Sequence, residues 1–137
     1  MDLGDGAILQ ILFPDRDPSG METNTSSIVA RLVYGQNEFL FTGDSPQAIE
    51  KYLIALGGLQ SDVLKAGHHG SKTSSSAEFV SAVAPEYAVI SVGKDNRYGH
   101  PNQETLDTFT NFGSQILCTD QSGRIIFKSD GVNLEQN

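Results

Sequence analysis

Runs of β-branched and aromatic residues come first along this chain and then alternate with amphipathic segments, and this order constrains the fold more than any other feature. Strands that alternate with helices at short spacing pack as helices on a sheet, so the pattern predicts an α/β protein with a mixed sheet. The predicted strands are Ala7–Phe13, 28–34, 39–42, 63–66, 87–92, 115–119 and 124–128. The last two are expected to pair through the turn at 121–123.

Three amphipathic segments between these strands are predicted helices. The first begins at Ser45 and runs toward Leu56, because a hydroxyl cap followed by proline is typical of a helix start. The second opens with a capping box of Ser75 and Glu78, and the third spans 102–112. Their predicted core-facing residues are Ile49, Leu53, Leu56, Phe79, Val80, Val83, Leu106, Phe109 and Phe112.

Two local features complete the expected architecture. The strands 28–34 and 39–42 flank a four-residue stretch at 35–38, which predicts a β-hairpin with a four-residue loop. Cys118 is the single cysteine, so the chain has no internal disulfide, and a small buried apolar role is expected for it.

Composition limits the class of protein. A chain of 137 residues is predicted to form one domain, residues 1–137. No apolar run approaches the ~20 residues of a membrane-spanning helix, and the first residues lack the order of a signal peptide. We therefore expect a cytosolic protein or a domain whose targeting lies elsewhere. The net charge of −8 argues against nucleic-acid binding by counterion release alone.

Residues with metal-ligand chemistry follow the predicted strands. Asp44, the pair His68 and His69, and His100 each come directly after a strand or a few residues beyond one. Functional loops gather at the carboxyl ends of strands in α/β sheets, so these side chains are expected to meet at one edge. Imidazole and carboxylate groups suit divalent ions, and one carboxylate can serve two ions. Taken singly, each residue also fits a structural role, such as a helix cap or a solvated loop side chain.

The tandem histidines lie between Gly67 and Gly70, where packing is poor and close approach by a ligand is easy. Adjacent residues of an extended segment point in opposite directions. We therefore expect one histidine of the pair to bind an ion while the other orients or contacts the substrate.

Polar donors surround these motifs. Lys65 projects from the strand before the histidine pair and could neutralise an anionic oxygen. Asn96, Arg97 and Tyr98 beside His100 offer donors for a phosphate or a sugar. The basic residues near the motifs form either a positively charged patch on an otherwise acidic protein or a scattered, solvated set. They are Lys65, Lys72, Lys94 and Arg97.

Three ordered motifs resemble the C-terminal half of the metallo-β-lactamase-fold domain of ComEC-type competence proteins, the inner-membrane DNA-uptake channels of bacteria. They are Thr42-Gly43-Asp44, Lys-Ala-Gly-His-His-Gly-Ser at 65–71 and Asn-Arg-Tyr-Gly-His-Pro at 96–101. The resemblance covers about residues 7–130. It implies half of a metallo-β-lactamase αββα sandwich and a metal-dependent hydrolase, proposed in such proteins to act as a nuclease or phosphodiesterase on incoming DNA.

The resemblance also implies residue roles. Asp44 would be a metal-bridging carboxylate, His69 and His100 would complete the metal ligands, and Lys65 and His68 would join Asp44 in catalysis. Substrate contacts would come from Lys65, Ser71, Lys72, Asn96, Arg97 and Tyr98. The implied cofactor is a divalent metal, zinc or manganese.

Family members also carry a His-x-His-x-Asp-His segment, which this sequence lacks. We therefore expect residues 1–137 to be the C-terminal portion of the hydrolase domain. We expect this portion to bind metal weakly or not at all, and to be inactive until it joins its N-terminal half. The other expected partner is DNA or another phosphodiester. In a ComEC-like parent the domain would lie on the extracytoplasmic face of the inner membrane, and only the parent would contact that membrane.

Two alternatives remain open at the level of sequence. The first is a related hydrolase of small phosphodiesters or cell-wall polymers, which the negative charge favours. The second is a non-catalytic fragment that self-associates to a homo-oligomer, because half a sandwich leaves a sheet face and an edge to cover.

Overall fold

A computed structural model describes all 137 residues, and its strands form one seven-stranded mixed sheet and one two-stranded sheet. The seven strands lie side by side in chain order. They are β1 (Asp2–Gly4), β2 (Ala7–Phe13), β3 (Val29–Tyr34), β4 (Asn37–Phe41), β5 (Val63–Lys65), β6 (Tyr87–Ile90) and β7 (Gln115–Cys118). The first four pair antiparallel, whereas β4 to β7 pair parallel. The predicted α/β class with a mixed sheet is confirmed.

Three helices connect the parallel strands and cover one face of the sheet. They are α1 (Gln47–Leu56), α2 (Ala77–Val83) and α3 (Gln103–Asn111). Crossovers between parallel strands are right-handed, so a sequential strand order places successive helices on the same face, where α2 contacts both α1 and α3. The core between helices and sheet includes Leu40, Leu53, Leu64, Phe79, Ile90 and Phe109.

The opposite face of the sheet carries a row of residues beside the strand ends that hold the predicted site. Since Leu40 and Leu64 face the helices, their strand neighbours face the other way. We call this set the open-face row; cross-strand pairing aligns Ile11, Ala30, Phe41, Lys65, Val89 and Leu117. Ile11 is 52% exposed and Phe41 is 41% exposed. Strands of a parallel sheet are normally covered on both faces, so this row is available to a further layer.

A small hairpin covers the neighbouring row on the same face. It consists of β8 (Phe127–Ser129) and β9 (Leu134–Gln136), and the Phe127 ring packs edge-on to Phe39 and Tyr87 at centroid distances of 6.1 and 5.2 Å. The expectation that residues 124–128 pair with 115–119 is therefore wrong. A short helix, α4 (Thr119–Ser122), follows β7, and β8 pairs with β9 because aromatic burial draws it across the sheet.

The β3–β4 hairpin has a two-residue loop rather than the predicted four-residue one. Tyr34 pairs with Asn37, which leaves only Gly35 and Gln36 between the strands. The buried Asn37 side chain accepts a hydrogen bond from the Ser129 hydroxyl at 2.5 Å, so tertiary contact stabilises a polar residue inside β4. Gly35 is required here, because a Cβ would lie 2.1 Å from the Gly131 carbonyl oxygen.

Two predicted helix caps are replaced by other contacts. The Ser45 hydroxyl donates to the Thr42 carbonyl at 2.7 Å, so α1 follows Pro46 with no side-chain cap. Ser76, not Ser75, caps α2 by accepting the Phe79 N–H at 3.3 Å. The capping box of Ser75 and Glu78 is therefore wrong.

A buried carboxylate from α1 takes the place of that box. Glu50 is 1% exposed and accepts the backbone N–H groups of Ser75 and Ser76, the latter at 2.9 Å. This contact fixes the start of α2 against α1. It also anchors the segment that leads from the histidine pair to α2.

Some predicted core positions are solvent-exposed instead. Leu56 is 60% exposed and Phe112 is 46% exposed, because each lies at the end of its helix, beyond the sheet. Cys118 is buried as predicted. The structure contains no helix with the length and apolar character needed to cross a bilayer.

Candidate functional site

The loops that follow β4, β5 and β6 meet at one edge of the sheet. Their side chains line an open cleft of about 270 Å³, which we call the histidine cleft. Its lining residues are Asp44, His68, His69, Tyr98 and His100. The structure thus brings together the aspartate and the three histidines, which are distant along the sequence.

Asp44 is held by a tight turn after β4. The Thr42 hydroxyl donates to the Lys65 carbonyl at 2.9 Å and ties the end of β4 to β5. Gly43 then adopts a φ of +55°, a conformation that glycine reaches at little cost. The Asp44 N–H donates to the Ser27 hydroxyl at 3.2 Å, so the backbone is fixed while the carboxylate remains 38% exposed.

The histidine pair lies in a left-handed turn, not in the extended segment expected from the sequence. His68 and His69 have φ values of +47° and +55° within the 3₁₀ turn Gly67–Gly70. Such conformations are costly for residues with a Cβ and persist only where surrounding contacts impose them. The His68 N–H donates to the Gly43 carbonyl at 3.0 Å, which ties this turn to the Asp44 turn.

Close packing of backbones explains the two glycines that flank the pair. A Cβ on Gly67 would lie 2.8 Å from the Ser74 Cβ. A Cβ on Gly70 would lie 2.7 Å from the Pro101 Cβ, on the loop that carries His100. Gly67 therefore allows the histidine turn to pack against the segment that follows it, and Gly70 allows the turn to approach the loop that carries His100.

His69 presents a free nitrogen to Asp44. Its Nδ1 atom lies 2.7 Å from the Ser91 carbonyl oxygen, and a carbonyl can only accept, so Nδ1 carries the proton. The lone pair of the neutral ring is then on Nε2, which lies 3.7 Å from Oδ1 of Asp44. A histidine oriented by a backbone carbonyl in this way is typical of metal-binding imidazoles.

His68 and His100 face each other across the same cleft. Their ring centroids are 5.8 Å apart, with an interplanar angle of 75°. Burial lowers the pKa of His100, and the nearby His68 and His69 lower it further, whereas Asp44 opposes them. A lowered pKa keeps the imidazole neutral near pH 7, which is the form that binds a cation.

Lys65 lies beneath the Asp44 turn. Its ammonium group donates to the Gly43 carbonyl at 3.2 Å. Burial lowers the pKa of Lys65, while the negative charge of Asp44 opposes that shift. The lysine therefore supplies a positive charge next to the cleft and supports the turn that carries the carboxylate.

The Asn96 side chain stabilises the loop after β6 through hydrogen bonds. The Asn96 Oδ1 atom accepts the His100 N–H at 3.0 Å, and its Nδ2 donates to the His100 carbonyl at 2.7 Å. Tyr98 stacks on His100 with centroids 6.1 Å apart, and the Arg97 guanidinium lies 5.2 Å from the centre of the Tyr98 ring. Asn96 thus holds the loop, and Tyr98 and Arg97 face solvent.

Two of the predicted substrate contacts lie away from the histidine cleft. Ser71 is buried, and its hydroxyl lies 3.0 Å from that of Thr73 within the turn. Lys72 lines a separate polar cleft beside Gln47 and the start of α2. The basic residues near the motifs therefore do not form one positively charged patch.

The donor set matches a metal site in chemistry but not in number. Carboxylate oxygen and imidazole nitrogen are suitable ligands for zinc and manganese. However, no group of three or more His, Cys, Asp or Glu side chains is arranged so that it could hold an ion. Catalytic zinc takes three protein ligands, one more than the closely approaching pair of Asp44 and His69.

Several supporting residues could not be recognised from sequence. Ser91 acts through its backbone carbonyl, which any residue supplies. Glu50 contacts residues 25 positions away, and no local pattern signals that contact. Asn102 precedes α3 and was expected inside that helix, yet its Oδ1 accepts the Lys72 N–H at 2.8 Å. An asparagine at a helix start is the one signal that could have indicated a capping or bridging role.

Comparison with known proteins agrees with the motifs. Residues 14–94 match the model of the metallo-beta-lactamase superfamily. The chain is 37% identical over 119 residues to ComE operon protein 3 of Bacillus subtilis (strain 168), covering 86% of this chain and 15% of that protein. It is 41% identical over 125 residues to competence protein ComA of Neisseria gonorrhoeae, covering 90% of this chain and 18% of that protein.

A third relative extends the same similarity. Recombination protein 2 of Haemophilus influenzae (strain ATCC 51907 / DSM 11121 / KW20 / Rd) is 34% identical over 134 residues, covering 96% of this chain and 17% of that protein. The chain therefore spans less than a fifth of the length of these relatives. The predicted resemblance to ComEC-type competence proteins is confirmed. By its sequence match and its fold, the chain belongs to the metallo-beta-lactamase superfamily.

Proposed function

We propose that this chain supplies one half of a metal-dependent phosphodiesterase centre that acts as a nuclease in a DNA-uptake protein. The proposal rests chiefly on the relation between His69 and Asp44. An imidazole whose Nδ1 proton is held by a backbone carbonyl directs Nε2 toward a carboxylate 3.7 Å away. This arrangement is suited to share a cation and has no packing role, since both side chains are well exposed.

Each residue of the cleft has a distinct task in this proposal. Asp44, His69 and His100 would each contribute a ligand to divalent metal, and the partner segment would supply the others. His68 lies against His100 and is available to exchange a proton with the substrate. Lys65 sustains the Asp44 turn and adds positive charge for a phosphoryl oxygen. A bound zinc or manganese ion would supply a water molecule of lowered pKa as the nucleophile.

The remaining ligands would come from a partner segment that carries the family's His-x-His-x-Asp-His motif. The open-face row marks where that segment would pack, because Phe41 is the last residue of β4 and lies three positions before Asp44. A layer laid on this row would reach the histidine cleft. The same partner segment would supply further metal ligands and would cover the exposed Ile11 and Phe41 side chains of the open-face row.

DNA is the proposed substrate because the named relatives are competence and recombination proteins. The net charge of −8 and the scattered lysines argue against tight duplex binding by the chain itself. In the parent protein the membrane-embedded portion would deliver the strand. We place the domain on the extracytoplasmic face of the bacterial inner membrane in such a parent.

A hydrolysis assay tests the proposed function. The chain is joined to the segment with the His-x-His-x-Asp-His motif, and cleavage of a DNA oligonucleotide is measured with zinc or manganese. We expect activity that is lost in both Asp44→Ala and His69→Ala and retained in Lys72→Ala, since Lys72 lines a different cleft. No cleavage of DNA or of a small phosphodiester in the joined protein would contradict the proposal. Cleavage of the small diester alone would favour the alternative hydrolase.

Self-association is a second candidate, and the open-face row favours it. Ile11 and Phe41 lie on the same face, on either side of Ala30. A second copy of the chain could cover this apolar surface without any catalytic role. Light scattering during size exclusion separates the two: a stable dimer that excludes the partner segment would support self-association, and a monomer would oppose it.

A further inference from the structure

A second cleft, of about 440 Å³, lies beside the histidine cleft. Residues 91–93 line it together with His69, Asn96, Tyr98 and His100, and we call it the side cleft. His69, Tyr98 and His100 line both clefts. A group in the side cleft is therefore adjacent to any group held at Asp44, so one ligand could occupy both clefts.

The walls of the side cleft suit a flat, uncharged group. Gly93 contributes no side chain, and a Cβ built on it would have no neighbour within 4 Å. The amide of Asn96 is already used by the Gly93 and His100 carbonyls and the His100 N–H. No acidic or basic side chain other than the two histidines lines this cleft.

Tyr98 provides an exposed aromatic surface between the two clefts. It is 68% exposed, so most of its aromatic ring is available to contact a ligand. The Arg97 guanidinium lies 5.2 Å from the ring centre and is also exposed. A nucleobase stacks on an aromatic ring more strongly than an exposed cation does, so a base can displace the guanidinium and leave Arg97 free to meet a phosphate.

We propose that the side cleft binds an unpaired nucleobase next to the phosphodiester at the histidine cleft, with Tyr98 as the stacking surface. This inference rests on the proposed function and identifies where a base of its DNA substrate would lie. A base within a duplex is stacked and paired on both sides, so its face cannot reach Tyr98. The side cleft offers few polar groups to a base, so it accepts different bases and does not discriminate between them.

A binding experiment tests the inference without requiring hydrolysis. The 137-residue chain is titrated by NMR with a short thymidine oligonucleotide, and separately with the same length of abasic phosphodiester, in the presence of a metal chelator. Stacking energies correspond to a loss of about 5- to 150-fold in affinity when Tyr98→Ala removes the ring. Tyr98→Phe keeps the ring and should rescue binding.

The outcomes separate this inference from the proposed function. Weaker binding of the abasic strand, together with a loss in Tyr98→Ala and rescue in Tyr98→Phe, would support the base site. Equal affinity for the thymidine and abasic strands, or equal affinity of the two variants, would overturn it. Failure of the joined protein to cleave any phosphodiester would overturn the proposed function while leaving this binding result unaffected.

Discussion

The Nε2 atom of His69 lies 3.7 Å from Oδ1 of Asp44, and the Ser91 carbonyl fixes the ring that makes this approach. The two residues are on loops after different strands, joined by the His68 N–H to Gly43 carbonyl bond. The site therefore depends on backbone geometry around the side chains as much as on the side chains.

Gly70→Ala should destabilise the chain and distort the histidine turn. Gly70 has a φ of +80°, and an added Cβ would lie 2.7 Å from the Pro101 Cβ. Backbone strain and the clash together predict a loss of about 2–3 kcal/mol in the free energy of unfolding. Urea unfolding measures it. Gly113→Ala is the matched control, because φ is +78° with no atom within 4 Å of the Cβ, and a loss as large as that of Gly70→Ala would show that the contact is unimportant.

Glu50→Gln should weaken the junction between α1 and α2. Glu50 accepts two backbone N–H groups, and an amide can accept only one of them while presenting a donor to the other. One buried N–H left without a partner costs about 1–3 kcal/mol. Chemical denaturation of both proteins at pH 7 measures the difference.

The pH dependence of the same variant tests the state of that carboxyl group. Burial raises the pKa of Glu50 above its ordinary value of 4.5, although the N–H groups of Ser76 and Ser75 oppose the shift. Because the folded state holds the proton more tightly, wild-type stability falls as the pH rises through the folded-state pKa. The stability of Glu50→Gln lacks this pH dependence. The difference in free energy of unfolding between the two proteins should therefore narrow with rising pH. A difference that widens would show that the hydrogen bonds to the carboxylate outweigh the effect of its burial.

Asp130→Ala should destabilise the β8–β9 hairpin in a pH-dependent manner. Hydrogen bonds from Asn133 and from the Val132 N–H lower the pKa of Asp130 from 3.8 to about 2. A lowered pKa means that the carboxylate stabilises the folded state above pH 3.8 and that this contribution disappears as the pH falls toward 2. Denaturation midpoints of the two proteins should therefore differ at pH 6 and converge near pH 2. A constant difference would contradict the carboxylate's role.

Phe41→Ser should leave the isolated chain folded but prevent the partner segment from docking. Phe41 is 41% exposed on the open-face row and lies outside the buried core cluster, so its replacement leaves that core intact. Burial of the exposed part of Phe41 at a new interface is worth about 0.6–1.2 kcal/mol, which predicts roughly three- to eightfold weaker association. Calorimetric titration with the partner segment measures it. Leu56→Ser, on an exposed position of α1, is the control, and equal weakening by both variants would contradict docking on this row.

The parts of the fold that follow local patterns were predictable. The strand Ala7–Phe13 has the predicted bounds, because its run of apolar residues ends at Pro14. The turn carrying Asp44 and the loops carrying the histidines follow strands as expected, since parallel strands place their carboxyl ends at one edge. Convergence of these side chains could therefore be anticipated from the order of the strands.

Features that depend on distant contacts could not be predicted. Ser45 and Ser75 have the residue type of helix caps, but neither side chain caps a helix. The Ser45 hydroxyl donates to the Thr42 carbonyl, and the Ser75 N–H donates to Glu50. The left-handed conformation of His68 is imposed by the Gly43 carbonyl and by the neighbouring loops, none of which the local sequence reveals. Local propensity indicates where an element lies, and tertiary hydrogen bonds decide how it ends.

Metal affinity tests the central claim most directly. Zinc and manganese binding is measured by calorimetry on the chain joined to the segment with the His-x-His-x-Asp-His motif. Ligand loss exceeds the ~10- to 100-fold effect of removing a supporting residue, so Asp44→Ala and His69→Ala should each weaken binding by at least about 100-fold, with Lys72→Ala unchanged. Unchanged affinity in Asp44→Ala and His69→Ala would contradict the proposal that these two residues share a metal ion.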